Sequence, residues 1–232
     1  MLLVSEAEKQ ALGIGGPKVL AVGNGVDTDY FRPAEGDGPA APGLVFTGTM
    51  NYRPNIDGVC WFVREVWPSL KREVPGLLLT VVGRDPAAAV RRLAEVPGVR
   101  VTGTVEDVRP YLASATLAVA PLTIARGIQN KVLEAMAMGK AVVASGPAIE
   151  GLDVAVGREI LMADTPNEWR TCVLGLIGDA ARRKDLERAA RARAVADYGW
   201  SARMRRLVEL CLRLAEGGPS AQGACSMVSE SW

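Results

Sequence analysis

The sequence predicts an α/β domain built on a doubly wound parallel sheet, a Rossmann-like fold. Short apolar runs of strand length alternate with longer segments of helical period, and Gly, Pro or Asp bounds most of the runs. Continuous apolar runs are typical of parallel strands that are buried on both faces. Their alternation with helices favours right-handed crossovers, so the strands are expected to lie in one sheet.

The predicted strands, in chain order, are 44–46, 77–82, 99–101, 117–120, 141–144 and 160–162. The predicted helices are 56–73, 86–95, 106–114, 128–138 and 167–178. Ligands of such sheets bind at the carboxyl ends of the strands. The turns that follow the strands are therefore the candidate binding segments, and they contain Gly48, Gly83, Gly103, Pro121 and Ser145.

The two ends depart from this alternation. Residues 1–16 predict a strand edge and then a helix, with Ser5 as a candidate N-cap. Residues 17–43 hold a short apolar run, a glycine turn and a linker rich in Pro, Gly and Ala. After the central unit, 44–179, two helices are predicted over 180–216, and the small, polar residues 217–232 are expected to be disordered.

Composition excludes several function classes. The formal charge of +1 gives no attraction to nucleic acid. Four cysteines without CxxC spacing argue against a zinc site or disulfide framework and fit a reducing cytoplasm. The sequence lacks histidine, which excludes His-based acid–base chemistry within it. With no spanning apolar run and no signal-peptide pattern, we expect a cytoplasmic protein.

The most informative stretch is residues 126–145, which enters a helix near Gly127 and leaves it at Gly139. A helix N-terminus beside a ligand crevice suits a diphosphate. Lys131 and Glu134 lie three residues apart and share a helix face. A carboxylate there accepts two hydrogen bonds from a vicinal diol such as that of ribose, and a lysine neutralises phosphate charge. An exposed ion pair on an ordinary helix is the alternative, and the spacing alone favours neither.

The segment Leu-Glu-Ala-Met-Ala-Met-Gly-Lys-Ala-Val-Val, residues 133–143, resembles the signature of the group-1 glycosyltransferases, whose fold is GT-B. Further segments resemble the family in the family's order, namely 22–27, 30–33, 44–48, 79–83, 101–103 and 108–115. The resemblance extends over about residues 1–215. It implies that Glu134 binds the ribose of a nucleoside diphosphate sugar, and that Gly103 to Val105 line the nucleobase pocket. A plain strand-to-helix turn is the alternative for the latter. The resemblance also implies that the donor binds without a metal or other cofactor.

The sequence also departs from the family pattern. Arg126 stands where many members carry a glutamate that contacts the donor sugar, and Thr49 and Pro54 replace an arginine and a lysine that hold the diphosphate. We hypothesise that Arg126 and Lys131 compensate the diphosphate charge, with Arg53 assisting. The alternative is that donor binding has been lost and Arg126 is a solvated loop residue. The expected nucleotide-sugar-binding residues are Glu134, Lys131, Arg126, Gly127, Gly48, Thr49, Arg53, Gly103 and Val105, whereas Arg84 and Asp85 are expected on the surface.

The resemblance thus implies the C-terminal, donor-binding half of a retaining glycosyltransferase, with extra C-terminal helices. In that interpretation residues 1–16 are a remnant of an N-terminal acceptor domain, 17–43 join the domains, and 44–179 bind the donor. A sugar of hexosyl type would pass to a glycan or lipid-linked acceptor in polysaccharide biosynthesis. The chain is expected to be inactive without the missing domain, and no catalytic residue is assigned.

The C-terminal helices carry ten Lys and Arg against four Asp and Glu over residues 182–213. This basic face is interpreted either as a contact with the missing domain or as peripheral docking at the inner face of the membrane. Three other functions stay open from sequence. They are a non-catalytic nucleotide-binding module derived from a transferase, a nucleotide-sugar epimerase of the same fold, and a flavodoxin-like regulatory domain.

Overall fold

The computed structural model describes residues 2–3, 13, 20–21, 23–33, 42–125 and 127–217. The described strands are β1 (Leu2–Leu3), β2 (Leu20–Ala21), β3 (Gly43–Thr47), β4 (Leu78–Val82), β5 (Val99–Val101), β6 (Leu117–Ala120), β7 (Ala141–Ala144) and β8 (Leu161–Met162). The described α-helices are α1 (Arg53–Trp61), α2 (Trp67–Glu73), α3 (Ala88–Arg92), α4 (Arg109–Ser114), α5 (Asn130–Ala137), α6 (Gly146–Ile149), α7 (Pro166–Gly178), α8 (Ala180–Arg193) and α9 (Trp200–Gly217).

The main sheet has six parallel strands in the order β5-β4-β3-β6-β7-β8. The predicted doubly wound parallel sheet is therefore confirmed, and the predicted strand bounds differ from the observed ones by a single residue at most. The order reverses between β3 and β6, which makes that junction the topological switch point. In addition, β1 and β2 form a separate parallel pair.

The core lies on both faces of this sheet. Every residue of β6 and β7 is buried, as expected for central strands that helices cover on both sides. On one face the ring of Phe62 packs edge-on against Trp169 of α7, with ring centroids 5.2 Å apart. Both side chains are fully buried, and burial of large aromatic side chains contributes strongly to the stability of the fold.

Individual side chains near each turn decide the residue at which a helix begins, and sequence periodicity locates that residue only approximately. The helix predicted over 56–73 begins earlier, at Arg53, because Pro54 suits the first turn of a helix. It is divided into α1, a π-helical segment over Phe62–Val66, and α2. The helix predicted from 106 begins only at Arg109, whose backbone N–H donates to the Asp107 carboxylate in the preceding turn. The short helix α6 was not predicted.

The structure describes part of each end of the chain. The helix predicted after Ser5, most of the linker and the tail 218–232 lie outside the described residues. Towards the other end, α8 ends in a π-helical segment, Ala194–Tyr198, and the extended Gly199 separates it from α9, so two helices cover residues 180–217. In the described part of the chain, no helix is long and apolar enough to cross a membrane.

Candidate functional site

A cleft of about 640 Å³ opens at the carboxyl ends of the strands, beside the switch point between β3 and β6. Its lining comes from the segments that follow β3, β4 and β5, from α1, and from the start of α5 with the two residues before it. The lining residues are Thr47, Gly48, Thr49, Asn55, Val82, Gly83, Arg84, Thr104, Val105, Val108, Ile128, Gln129, Asn130, Lys131 and Glu134. A crevice in this position is where open α/β sheets bind ligands.

Two glycines shape one wall of the cleft. A Cβ atom at position 83 would lie 1.6 Å from the carbonyl oxygen of Gly48, so only glycine allows the two turns to meet. A Cβ atom at position 48 would lie 2.7 Å from Nδ2 of Asn55. Because neither glycine has a side chain, the backbone after β3 can approach both the turn after β4 and the Asn55 amide.

A hydrogen-bonded chain crosses the floor of the cleft. Nζ of Lys131 donates to Oδ1 of Asn55 over 2.6 Å, and Nδ2 of Asn55 donates to the carbonyl oxygen of Thr49 over 2.9 Å. The Lys131 amine also lies 5.3 Å from the centroid of the buried Phe46 ring. These contacts fix the lysine between α1, α5 and the turn after β3.

Helix α5 presents Lys131 and Glu134 to the cleft because its other face is apolar. Five of its eight residues are buried, namely Val132, Leu133, Ala135, Met136 and Ala137. Lys131 and Glu134 are half-buried, so the interpretation of an exposed ion pair on an ordinary helix is wrong. Glu134 makes no hydrogen bond or ion pair with another described residue, which leaves its carboxylate open to a ligand.

Burial changes the acidity of both groups. It lowers the pKa of Lys131 to about 8, an effect that the Glu134 carboxylate partly opposes. It also raises the pKa of Glu134 above its ordinary value, and the Lys131 charge opposes that shift. The cleft thus disfavours both charges, and a ligand that pairs with either would relieve the cost.

The N-terminus of α5 faces the same cleft. Gln129 occupies the N-cap position, but its side chain does not cap the helix and instead donates to the carbonyl oxygen of Gly127 over 3.1 Å. The first N–H groups of a helix have no acceptor within the helix. Since Asn130 and Lys131 line the cleft, those donors lie at its wall.

The structure brings together five of the predicted site residues, Gly48, Thr49, Val105, Lys131 and Glu134. Gly103 and Gly127 do not line the cleft, although each adopts a positive φ in a turn beside a lining residue. Arg53 is not brought to the cleft either. Its side chain is 83% exposed and pairs with Asp57 one helical turn further along α1, which holds it at the surface. Arg126 lies outside the described residues.

Of the lining residues that were not predicted from the sequence, two bear most on binding. Arg84 is exposed, as predicted, but it lines the cleft. Asn55 was not singled out, and it connects the two walls. A sequence signal for Asn55 exists, because a polar residue at a position that faces the core of an amphipathic helix needs a buried partner. Among the described residues, no three Cys, Asp or Glu side chains are grouped so that they could hold a metal ion.

Comparison with solved structures gives the fold family. The chain superposes on a glycosyltransferase from Rickettsia africae with a TM-score of 0.76 at 15% identity, covering 93% of this chain and 63% of that one. Sucrose-phosphate synthase from Thermosynechococcus elongatus gives 0.74 at 20% identity, covering 93% and 58%. Anabaena HepE in complex with UDP and glucose gives 0.72 at 17% identity, covering 91% and 62%. The fold is the Rossmann-like domain of GT-B glycosyltransferases, and the chain spans about three fifths of the length of these structures.

The family follows from the sequence match. The family model described as group 1 glycosyl transferases matches residues 41–179, which is more than half of the chain. The chain belongs to this family. No curated protein matches it.

Proposed function

We propose that the cleft binds a nucleoside diphosphate sugar and that the chain is the donor-binding half of a retaining glycosyltransferase. One observation carries the proposal. Glu134 and Lys131, one helical turn apart, both face a cleft at the topological switch point, together with the N-terminus of α5. An open carboxylate and a cation side by side match the diol and the phosphates of a nucleotide.

Glu134 binds the ribose in this proposal. Its carboxylate is half-buried, and without a ligand it has no hydrogen-bond donor among the described residues. The two oxygens accept hydrogen bonds from two adjacent hydroxyl groups, and hydrogen bonds to an ionised group are about twice as strong as neutral ones. The nucleobase then lies against Val105 and Val108, which line the same cleft.

The diphosphate lies between the start of α5 and the turn after β3. The helix N-terminus offers unpaired N–H donors and the positive end of the helix dipole. Lys131 adds a full charge, which Asn55 holds in place. We propose that this arrangement binds the diphosphate without a metal ion.

The reaction of the whole enzyme is part of the proposal. A hexosyl group would pass from the nucleoside diphosphate to a glycan or lipid-linked acceptor, with its anomeric configuration retained. The acceptor would be bound by a second domain that faces the cleft. Two features support this. The chain spans 58–63% of the length of the glycosyltransferase and synthase structures that it resembles, and HepE was crystallised with UDP and glucose.

Calorimetric titration of the chain with UDP, GDP, ADP and CMP tests the proposal. We expect saturable binding of one nucleoside diphosphate, weakened about thirtyfold or more by Glu134→Ala, since two charge-assisted hydrogen bonds are lost. Glu95→Ala is the matched control, because Glu95 is exposed and does not line the cleft. Equal affinities in both variants would contradict the proposal, as would binding of CMP alone.

A further inference from the structure

We propose that Arg84 is a diphosphate-binding residue of the cleft, on the wall opposite α5. This inference rests on the proposed function, because it names a further contact of the same ligand. Sequence considerations place Arg84 on the surface, and neither the resemblance nor the family signature points to it. Two observations support the role of Arg84: the turn after β4 places it at the cleft, and the other described lining residues carry no net positive charge.

The backbone places Arg84 next to the turn after β3. Gly83 meets the carbonyl oxygen of Gly48, as described above, and the carbonyl oxygen of Arg84 accepts a hydrogen bond from the backbone N–H of Met50 over 2.8 Å. Arg84 therefore lies beside Thr49, whose own side chain carries no charge. The next residue, Asp85, has a φ of 53°, which turns the chain away directly after Arg84.

Arg84 supplies a net positive charge that the other described lining residues of the cleft do not provide. Among the described lining residues, Lys131 and Glu134 carry opposite charges, and Arg84 is the remaining charged side chain. A diphosphate brings at least two negative charges, and burying them without nearby cations is costly. Lys131 alone compensates poorly, because it faces Glu134 and its pKa is already lowered to about 8. Arg84 gives the described lining its net positive charge.

The side chain of Arg84 is also available. It forms no hydrogen bond or ion pair with another described residue, whereas Lys131 is held by Asn55. It is exposed, so it can turn towards a ligand without first breaking a contact. Its guanidinium stays charged at every physiological pH and matches two phosphate oxygens at once. The two walls thus supply different cations, one fixed lysine and one free arginine.

The test measures Arg84→Ala and Arg84→Lys in the full chain. The ligands are the nucleoside diphosphate that binds tightest among UDP, GDP and ADP, and the matching nucleoside. We expect Arg84→Ala to weaken the diphosphate about tenfold and to leave the nucleoside unchanged, with Arg84→Lys between. Arg100→Ala is the control, since Arg100 is exposed on the edge strand β5 and lies outside the cleft lining.

The possible outcomes separate this inference from the proposed function. Diphosphate affinity that is unchanged in Arg84→Ala would overturn the role of Arg84 and leave the proposed function standing. An equal loss for the nucleoside and the diphosphate would also overturn it, because a phosphate contact cannot weaken a ligand that lacks phosphate. If the unaltered chain binds no nucleoside diphosphate, the proposed function fails and this inference fails with it.

Discussion

Nζ of Lys131 lies 2.6 Å from Oδ1 of Asn55, although 76 residues separate them along the chain. The contact joins α5 to α1 across the switch point of the sheet. Because the Asn55 amide also donates to the Thr49 carbonyl, one asparagine fixes both the lysine and the turn after β3. The Lys131 amine and the backbone of the turn after β3, which we propose bind the diphosphate, are therefore held in one arrangement before a ligand binds.

Asn55→Ala is expected to destabilise the fold by about 2 kcal/mol, because it leaves the half-buried Lys131 amine and the Thr49 carbonyl without their partners. Asn51→Ala is the control, since Asn51 is exposed in the preceding turn. Urea unfolding of the two variants measures the difference. Equal midpoints would show that Asn55 does not hold the cleft together.

Binding of a nucleoside diphosphate is expected to weaken as the pH rises past about 8, the pKa that burial gives Lys131. The protonated amine attracts phosphate, so the favourable charge is present below this pH and is lost above it. Lys131→Arg keeps its charge, and its affinity is expected to stay level between about pH 7 and about pH 9.5. Titrations across this range measure both proteins, and parallel profiles would rule out Lys131 as the titrating group.

Gly83→Ala is expected to destabilise the fold by at least about 3 kcal/mol, because the added Cβ atom would lie 1.6 Å from the Gly48 carbonyl oxygen. Backbone on both sides must then move, which also disturbs the cleft. Gly76→Ala adds the same atom where no other atom lies within 4 Å. Thermal unfolding compares the two, and a Gly83→Ala variant as stable as Gly76→Ala would contradict the close approach of the two turns.

Arg191→Ala is expected to cost about 3 kcal/mol of folding stability, because the Arg191 guanidinium donates to three carbonyl oxygens. These belong to Thr28, Phe31 and Ala137, at 3.0, 2.8 and 2.7 Å. Among the described residues, Arg188 on the same helix pairs with the exposed Asp185 alone, so Arg188→Ala is expected to leave stability unchanged. Denaturant unfolding distinguishes them, and similar losses would mean that the carbonyl contacts of Arg191 contribute little.

The sheet is predictable from the sequence because its signal is local. Continuous apolar runs such as Leu117–Ala120 are buried on both faces, and their ends coincide with turn residues. The helix starts are less predictable, since they depend on single side chains. Asp107 delays α4 by accepting the N–H of Arg109, and Pro54 advances α1. Periodicity averages over such contacts and therefore misplaces helix starts by up to three residues.

The cleft is predictable only in part, for a related reason. Lys131 and Glu134 share a helix face, so their spacing places both at one wall. Arg53 was predicted to assist, but its position on α1 directs its side chain to solvent and to Asp57. Arg84 and Asn55 reach the cleft through contacts with residues distant in sequence, namely Met50 and Lys131. A single sequence can mark Asn55 as a polar residue that needs a buried partner, but it does not show which distant residue that partner is.

The most direct test of the central claim, that Glu134 binds the ribose of a nucleotide, is a double cycle of ligand and protein. It compares the bound nucleoside diphosphate with its 2′,3′-dideoxy analogue, in the unaltered chain and in Glu134→Ala. We predict that removing the hydroxyl groups weakens binding to the unaltered chain about thirtyfold or more and hardly affects the variant, because both changes delete the same hydrogen bonds. The claim would be contradicted if removing the hydroxyl groups weakened binding to Glu134→Ala by the same factor as it weakens binding to the unaltered chain.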